Sequence, residues 1–261
     1  MTADAANYDV DGPADGPPIV FVHGTRLSRA MWRAQMDELR DVYRVVAVDL
    51  PGHGALADRP FTLSAAADHL ARTIEEAASG RAVVVGLSLG GYVAMDVAAR
   101  RPELVRGLVL SGATAEPVGL LARPYLALAA AMDRFHGPRL DALNAWFFRT
   151  RFPPAIAEPI VEVGFWSVGG AQALRALVGE RFAPRLAAYP GPTLIVNGEL
   201  DLLFRLTVGT FARDARDARR VRLRGATHLA NLDRPGAFNA AVRRFVEGLP
   251  RAGGAPAQPP G

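Results

Sequence analysis

Five short runs of β-branched and aliphatic residues recur along the chain: Ile19-Val20-Phe21-Val22, Val45-Val46-Ala47-Val48, Val83-Val84-Val85, Leu108-Val109-Leu110 and Leu194-Ile195-Val196. A strand with one wet face alternates apolar and polar residues. A continuous apolar run reads as a strand covered on both faces, as in a parallel sheet between two layers of helices. Val221, Arg222 and Leu223 make a weaker sixth run suited to a sheet edge. Helical patterns fill the gaps. Leu63, Ala67, Leu70, Ala71, Ile74 and Ala78 keep a spacing of about 3.6 residues, and so do Phe238, Ala241, Val242, Phe245 and Val246 after the helix-opening Pro235. The alternation predicts an α/β fold with a doubly wound, mostly parallel sheet.

The strand rhythm stops over residues 113–185. Ala-, Leu- and Arg-rich helical segments take over, punctuated by Pro124, Pro138, Pro153-Pro154 and Pro159. The expected organisation is a core from residues 1–112 and 186–261, with residues 113–185 inserted as a helical lid over one end of the sheet. The Gly/Pro/Ala-rich residues 251–261 are expected to form a disordered tail.

Composition removes several classes of function. The chain has no cysteine, which excludes disulfides, thiolate catalysis and zinc–thiolate sites. No organic cofactor or metal is called for. Its longest apolar stretch, residues 118–132, is broken by Arg123 and Pro124, short of the roughly 18 uninterrupted apolar residues of a membrane span. The start of the chain carries Asp4, Asp9, Asp11 and Asp15 and no basic-then-apolar pattern, so no secretory leader is expected and a cytoplasmic location is the default. No lysine is present, so all 30 basic residues are arginine, and the formal net charge is +4. These arginines are scattered among acids, as in Arg213, Asp214, Arg216 and Asp217, which describes a solvated surface and not a nucleic-acid face. Oligomeric state is not legible.

The strongest chemical signal is Gly86-Leu87-Ser88-Leu89-Gly90-Gly91, directly after the third run and opening a helix towards Arg100. A serine hydroxyl becomes a nucleophile when a base takes its proton and its Oγ stands clear of the backbone. A tight strand-to-helix turn provides that clearance, at the cost of strain and of small residues two places either side, here Gly86 and Gly90. The helix N-terminus then faces the developing oxyanion. A glycine-rich turn can also cradle a phosphate. However, no G-x-G-x-x-G stands here, and a P-loop needs a lysine.

The partners follow in the order that such a hydrolase requires. Gly198-Glu199-Leu200-Asp201 follows the run at Leu194, and Gly225-Ala226-Thr227-His228 follows the run at Val221. Asp201 is expected to accept the Nδ1 proton of His228 and fix its tautomer. Glu199 is the rival acid, but its two-residue offset at a strand end points it elsewhere. His69 and His136 read as packed or solvated side chains, and His53 as a structural residue of the turn Asp49-Leu50-Pro51-Gly52-His53-Gly54. His23 reads as architecture. In His23-Gly24-Thr25-Arg26 the amide of Thr25 can join that of Leu89 as an oxyanion donor pair, and losing one such donor costs about 3 kcal/mol.

With these residues the chain resembles the α/β-hydrolase superfamily along nearly all of its core. The matching features are His23-Gly24 with Trp32, Asp49 to Gly54, the turn around Ser88, Gly198 to Asp201, and Gly225 to Pro235. Dehalogenases and epoxide hydrolases of that superfamily carry aspartate at the elbow, so Ser88 argues against both. Gly86 to Gly91, His228-Leu229-Ala230-Asn231 and Phe238-Asn239-Ala240-Ala241 resemble the branch of 3-oxoadipate enol-lactonases and small esterases. His23-Gly24-Thr25-Arg26 departs from the enol-lactonases.

The resemblance implies a hydrolase acting on a small-molecule ester or lactone through an acyl-enzyme. Carbon–carbon bond hydrolysis, thioesterase, lyase or cyclase chemistry would use the same residues, and a slow-turnover ligand receptor would keep them. The insertion brings Tyr125, Phe135, Trp146, Phe147, Phe148, Phe165 and Trp166. Of these, Tyr125, Trp146, Phe147 and Trp166 are candidates to line the substrate cavity, although the same aromatics would also serve as the insertion's own core. Arg26 is a candidate for a substrate carboxylate, or a surface arginine.

Overall fold

In the computed structural model, which describes residues 7–250, the five apolar runs are the five inner strands of a seven-stranded sheet. The strands are β1 (Tyr8–Asp11), β2 (Pro18–Val22), β3 (Arg44–Val48), β4 (Ala82–Leu87), β5 (Val105–Ser111), β6 (Pro192–Gly198) and β7 (Asp217–Leu223), in the order β1-β3-β2-β4-β5-β6-β7. All neighbours pair parallel except β1 with β3. The mostly parallel α/β sheet expected from the sequence is therefore present.

The helices are α1 (Arg33–Leu39), α2 (Leu63–Ala77), α3 (Leu89–Arg100), α4 (Ala122–Phe135), α5 (Pro138–Arg151), α6 (Pro154–Val163), α7 (Ser167–Leu177), α8 (Ala183–Ala188), α9 (Leu202–Asp214), α10 (Ala230–Asp233) and α11 (Pro235–Glu247). The two-residue period of each strand divides the interior into two cores. Val20, Val22, Val46, Val48 and Val84 pack with α2 and α3. Ile19, Phe21, Val45, Ala47, Val83 and Val85 pack with α1 and α11. Trp32 anchors the second core, its ring centroid 5.0 Å from that of Phe21 and 6.0 Å from that of Phe238. Burying each such side chain stabilises the fold by about 1.5–3 kcal/mol.

Two strand assignments differ from the sequence reading. β1 was not expected: Tyr-Asp-Val-Asp carries no apolar run, and its residues are only partly buried. β7 begins four residues before Val221, because Asp217, Ala218, Arg219 and Arg220 continue the pairing with β6 along an exposed edge.

The chain passes from β2 outward to β3 and then returns to place β4 on the other side of β2. Ligands of open α/β sheets sit at the carboxyl ends of strands where the winding reverses. Here those ends lead into His23-Gly24-Thr25 after β2 and Ser88 after β4. Helices α4 to α8 all fall between β5 and β6. Among the described residues no helix is long and apolar enough to cross a membrane. The tail expected over residues 251–261 lies outside the described residues, as do residues 1–6.

Candidate active site

Ser88 is the single residue between the end of β4 and the start of α3, and its backbone adopts φ 52° and ψ −117°. A non-glycine residue in such a conformation carries about 1–3 kcal/mol of strain. The surroundings hold it there. A Cβ on Gly86 would fall 2.4 Å from the carbonyl carbon of Gly90, and one on Gly90 would fall 2.1 Å from the Val22 carbonyl oxygen. Only glycine fits at either place. The backbone N–H of Ser88 donates to the Ser111 carbonyl at 2.8 Å, tying the turn to β5.

On the loops after β6 and β7, His228 Nδ1 and Asp201 Oδ2 lie 2.9 Å apart. Asp201 is buried and His228 half-buried. The imidazole stacks on Phe204, with centroids 4.9 Å apart and planes at 23°. Glu199 turns away and accepts the Gly225 N–H at 3.0 Å, bracing the loop that carries His228. Ser88 and His228 line one cavity. No hydrogen bond joins them among the described residues.

The loop after β2 is fixed by two buried histidines. His23 Nε2 accepts the Leu50 N–H at 3.0 Å, and its Nδ1 lies 2.9 Å from the Gly24 carbonyl. His53 Nε2 accepts the Arg26 N–H at 3.2 Å, and its Nδ1 lies 3.0 Å from the Pro51 carbonyl. Each ring accepts at Nε2 and faces a carbonyl at Nδ1, so both are neutral. Burial pushes His23 down to about 4. Burial, with His23 beside it, pushes His53 down to about 3. The Asp49 carboxylate holds the turn by accepting from the Arg29 amide at 2.8 Å and the Ala55 amide at 2.9 Å, and it pairs with the Arg29 guanidinium. Thr25 is thereby set on the cavity wall. Neither its amide nor that of Leu89, the first residue of α3, has an acceptor within the chain among the described residues.

The cavity holds about 370 Å³. Its wall includes Thr25, Arg26, Ser88 and His228, with apolar cover from Leu128 and Met132 of α4, Leu174 of α7 and Phe204 of α9. Of the five aromatic and cationic candidates named from the sequence, Arg26 and Tyr125 are on this wall. The Tyr125 hydroxyl is 2.9 Å from that of Tyr92, which donates to the Ala115 carbonyl at 2.7 Å.

Trp146, Phe147 and Trp166 are not on the wall. Trp146 is 63% exposed and Phe147 45%, because α5 turns their neighbour Phe148 inward instead. Trp166 lines a separate depression with His136 and Asp141, and its backbone N–H donates to the Arg26 carbonyl at 3.0 Å. Sequence reasoning missed Phe204 and the aliphatic wall. Phe204 stands three residues after Asp201, where the first turn of a helix following an acid loop returns a side chain towards it. Among the described residues no group of three or more His, Cys, Asp or Glu side chains could hold a metal ion.

A family model described as the alpha/beta hydrolase family matches residues 19–241. The chain is 32% identical over 244 residues to a pimeloyl-[acyl-carrier protein] methyl ester esterase of Neisseria meningitidis, covering 88% of this chain and 93% of that one. It is 24% identical over 252 residues to 3-oxoadipate enol-lactonase 2 of Acinetobacter baylyi, covering 93% of each. Among solved structures, the crystal structure of E-2-(acetamidomethylene)succinate hydrolase superposes with a TM-score of 0.79 at 25% identity, over 92% of this chain and 94% of that one.

Proposed function

This chain belongs to the α/β-hydrolase family and is a hydrolase, and we propose that it cleaves a carboxylic ester or lactone through a serine acyl-enzyme. Ser88 Oγ attacks the carbonyl carbon while His228 Nε2 takes its proton, and Asp201 stabilises the resulting imidazolium through Nδ1. The amides of Thr25 and Leu89 hold the oxyanion. Collapse of the tetrahedral intermediate expels the alcohol, which takes the proton from His228. Water, deprotonated by His228, then releases the acid and restores Ser88.

The observation that carries this reading is the 2.9 Å contact of His228 with Asp201 beside the cavity onto which the strained Ser88 opens. Relatives named as an ester esterase and an enol-lactonase support a carboxylic ester or lactone as the substrate class. In this reading residues 113–185 act as a lid, with Tyr125, Leu128, Met132 and Leu174 supplying the apolar cover that excludes water from the acyl group.

The test is labelling by a fluorophosphonate together with turnover of p-nitrophenyl acetate. One equivalent of label on Ser88, and loss of both label and turnover in a folded Ser88→Ala variant, is the expected result. Retained turnover in that variant removes the reading.

A further inference from the structure

Arg26 sits at a position that an arginine occupies only at a cost. Its backbone is left-handed, with φ 67°, a region that favours glycine or asparagine. Its N–H and carbonyl are both used by the fold, bonded to His53 and to Trp166, and any residue but proline would supply them. The side chain adds no such bond. Nε and one terminal nitrogen of the guanidinium are buried without a hydrogen-bond acceptor. The carboxylate whose charge reaches it is that of Asp141 on α5, which does not bond to it, and burial pushes the guanidinium below its usual range. Buried guanidinium nitrogens that have lost water and gained no acceptor are costly.

The stem is nevertheless accommodated. Gly170 on α7 leaves the space that Arg26 fills: a Cβ there would fall 2.7 Å from Arg26 Cγ, 3.1 Å from Thr25 Cγ2 and 3.2 Å from Met132 Sδ. Thr25, Arg26 and Met132 are all on the wall of the Ser88 cavity. Among the described residues, Arg26 is the only ionisable basic side chain on that wall apart from His228, and no acid is on it.

We infer that the substrate carries a free carboxylate and that Arg26 is the residue that selects it, so the substrate is a half-ester of a dicarboxylic acid, or an ester or lactone with a carboxylate within reach of the scissile carbonyl. The inference rests on the hydrolytic reading of Ser88. A carboxylate entering the cavity gives the guanidinium acceptors once the side chain turns its buried nitrogens towards it, and the apolar wall around it strengthens that pairing. An uncharged ester of the same length leaves the guanidinium as it is.

The experiment compares mono-p-nitrophenyl esters of glutarate and adipate with the same compounds capped as methyl esters. The wild type is expected to favour the free acids in kcat/KM by about 10- to 100-fold, as for a hydrogen bond to a charged group, and mainly through KM. In Arg26→Gln that preference falls towards one, and Arg26→Lys restores part of it. A wild type that hydrolyses free and capped esters equally overturns the inference and leaves the Ser88 reading standing. An Arg26→Gln variant that loses both substrates in proportion also overturns it, since that describes a structural arginine. If neither ester is hydrolysed and Ser88 is not labelled by a fluorophosphonate, the hydrolytic reading itself has failed.

Discussion

Gly112 lies against the imidazole of His228: a Cβ on it would fall 2.6 Å from Cε1, 2.7 Å from Nδ1 and 3.2 Å from Asp201 Oδ2. Its φ of 56° also disfavours a side chain. The glycine after β5 is therefore the floor on which the His228–Asp201 pair rests. Gly112→Ala should displace the ring and lower kcat by about 10²-fold, the scale of a misplacement of roughly 1 Å. Thermal melting should show a folded protein with a lowered Tm. Wild-type kcat in a folded variant would mean that the ring position does not matter to turnover.

Asp201 and Glu199 differ in what they hold: Asp201 pairs with His228, and Glu199 accepts the Gly225 N–H. Asp201→Asn keeps the shape but cannot hold His228 in the tautomer that accepts at Nε2, and kcat should fall by about 10⁴-fold. Glu199→Gln keeps an oxygen for the Gly225 amide, so its kcat should stay of the same order as the wild type. Steady-state kinetics on one ester checks both. The reverse ranking would exchange the roles of the two acids.

The buried histidines make stability depend on pH. His53 has a folded value of about 3 against 6.5 when exposed. Between those values the unfolded chain binds a proton that the folded chain does not, so stability rises with pH and is lost as pH falls below about 6.5. Each such histidine contributes a slope of up to about 1.4 kcal/mol per pH unit, and His23, at about 4, adds to it down to its own folded value. Urea unfolding between pH 7.5 and 4.5 should give a shallower acid slope for His53→Gln than for the wild type. Equal slopes would mean that His53 is charged in the folded protein.

The sequence was most legible where burial on both faces leaves no alternation to misread. The five apolar runs became the five inner strands, and the Gly86–Gly91 turn stood where a strand meets a helix. At the edges burial is one-sided, and Tyr8–Asp11 with its two aspartates gives no hydrophobic signal although it pairs antiparallel along β3. Inside the helices of residues 113–185, apolar residues lie on both the inner and outer faces. Composition does not tell Phe148, which is buried, from Trp146 and Phe147 beside it, which are not. Phe204 was lost for a similar reason: α9 is apolar nearly all round, with Leu202 and Leu206 facing outward.

The most direct measurement is mass spectrometry of the protein quenched in acid during turnover of p-nitrophenyl acetate. The chain has no cysteine, so no thiol competes for the acyl group. Peptide mapping should find one acetyl group on the peptide containing Ser88 in the wild type, and none at that position in Ser88→Ala. Turnover without any acetyl on Ser88, or with the acetyl on another residue, would contradict a serine acyl-enzyme.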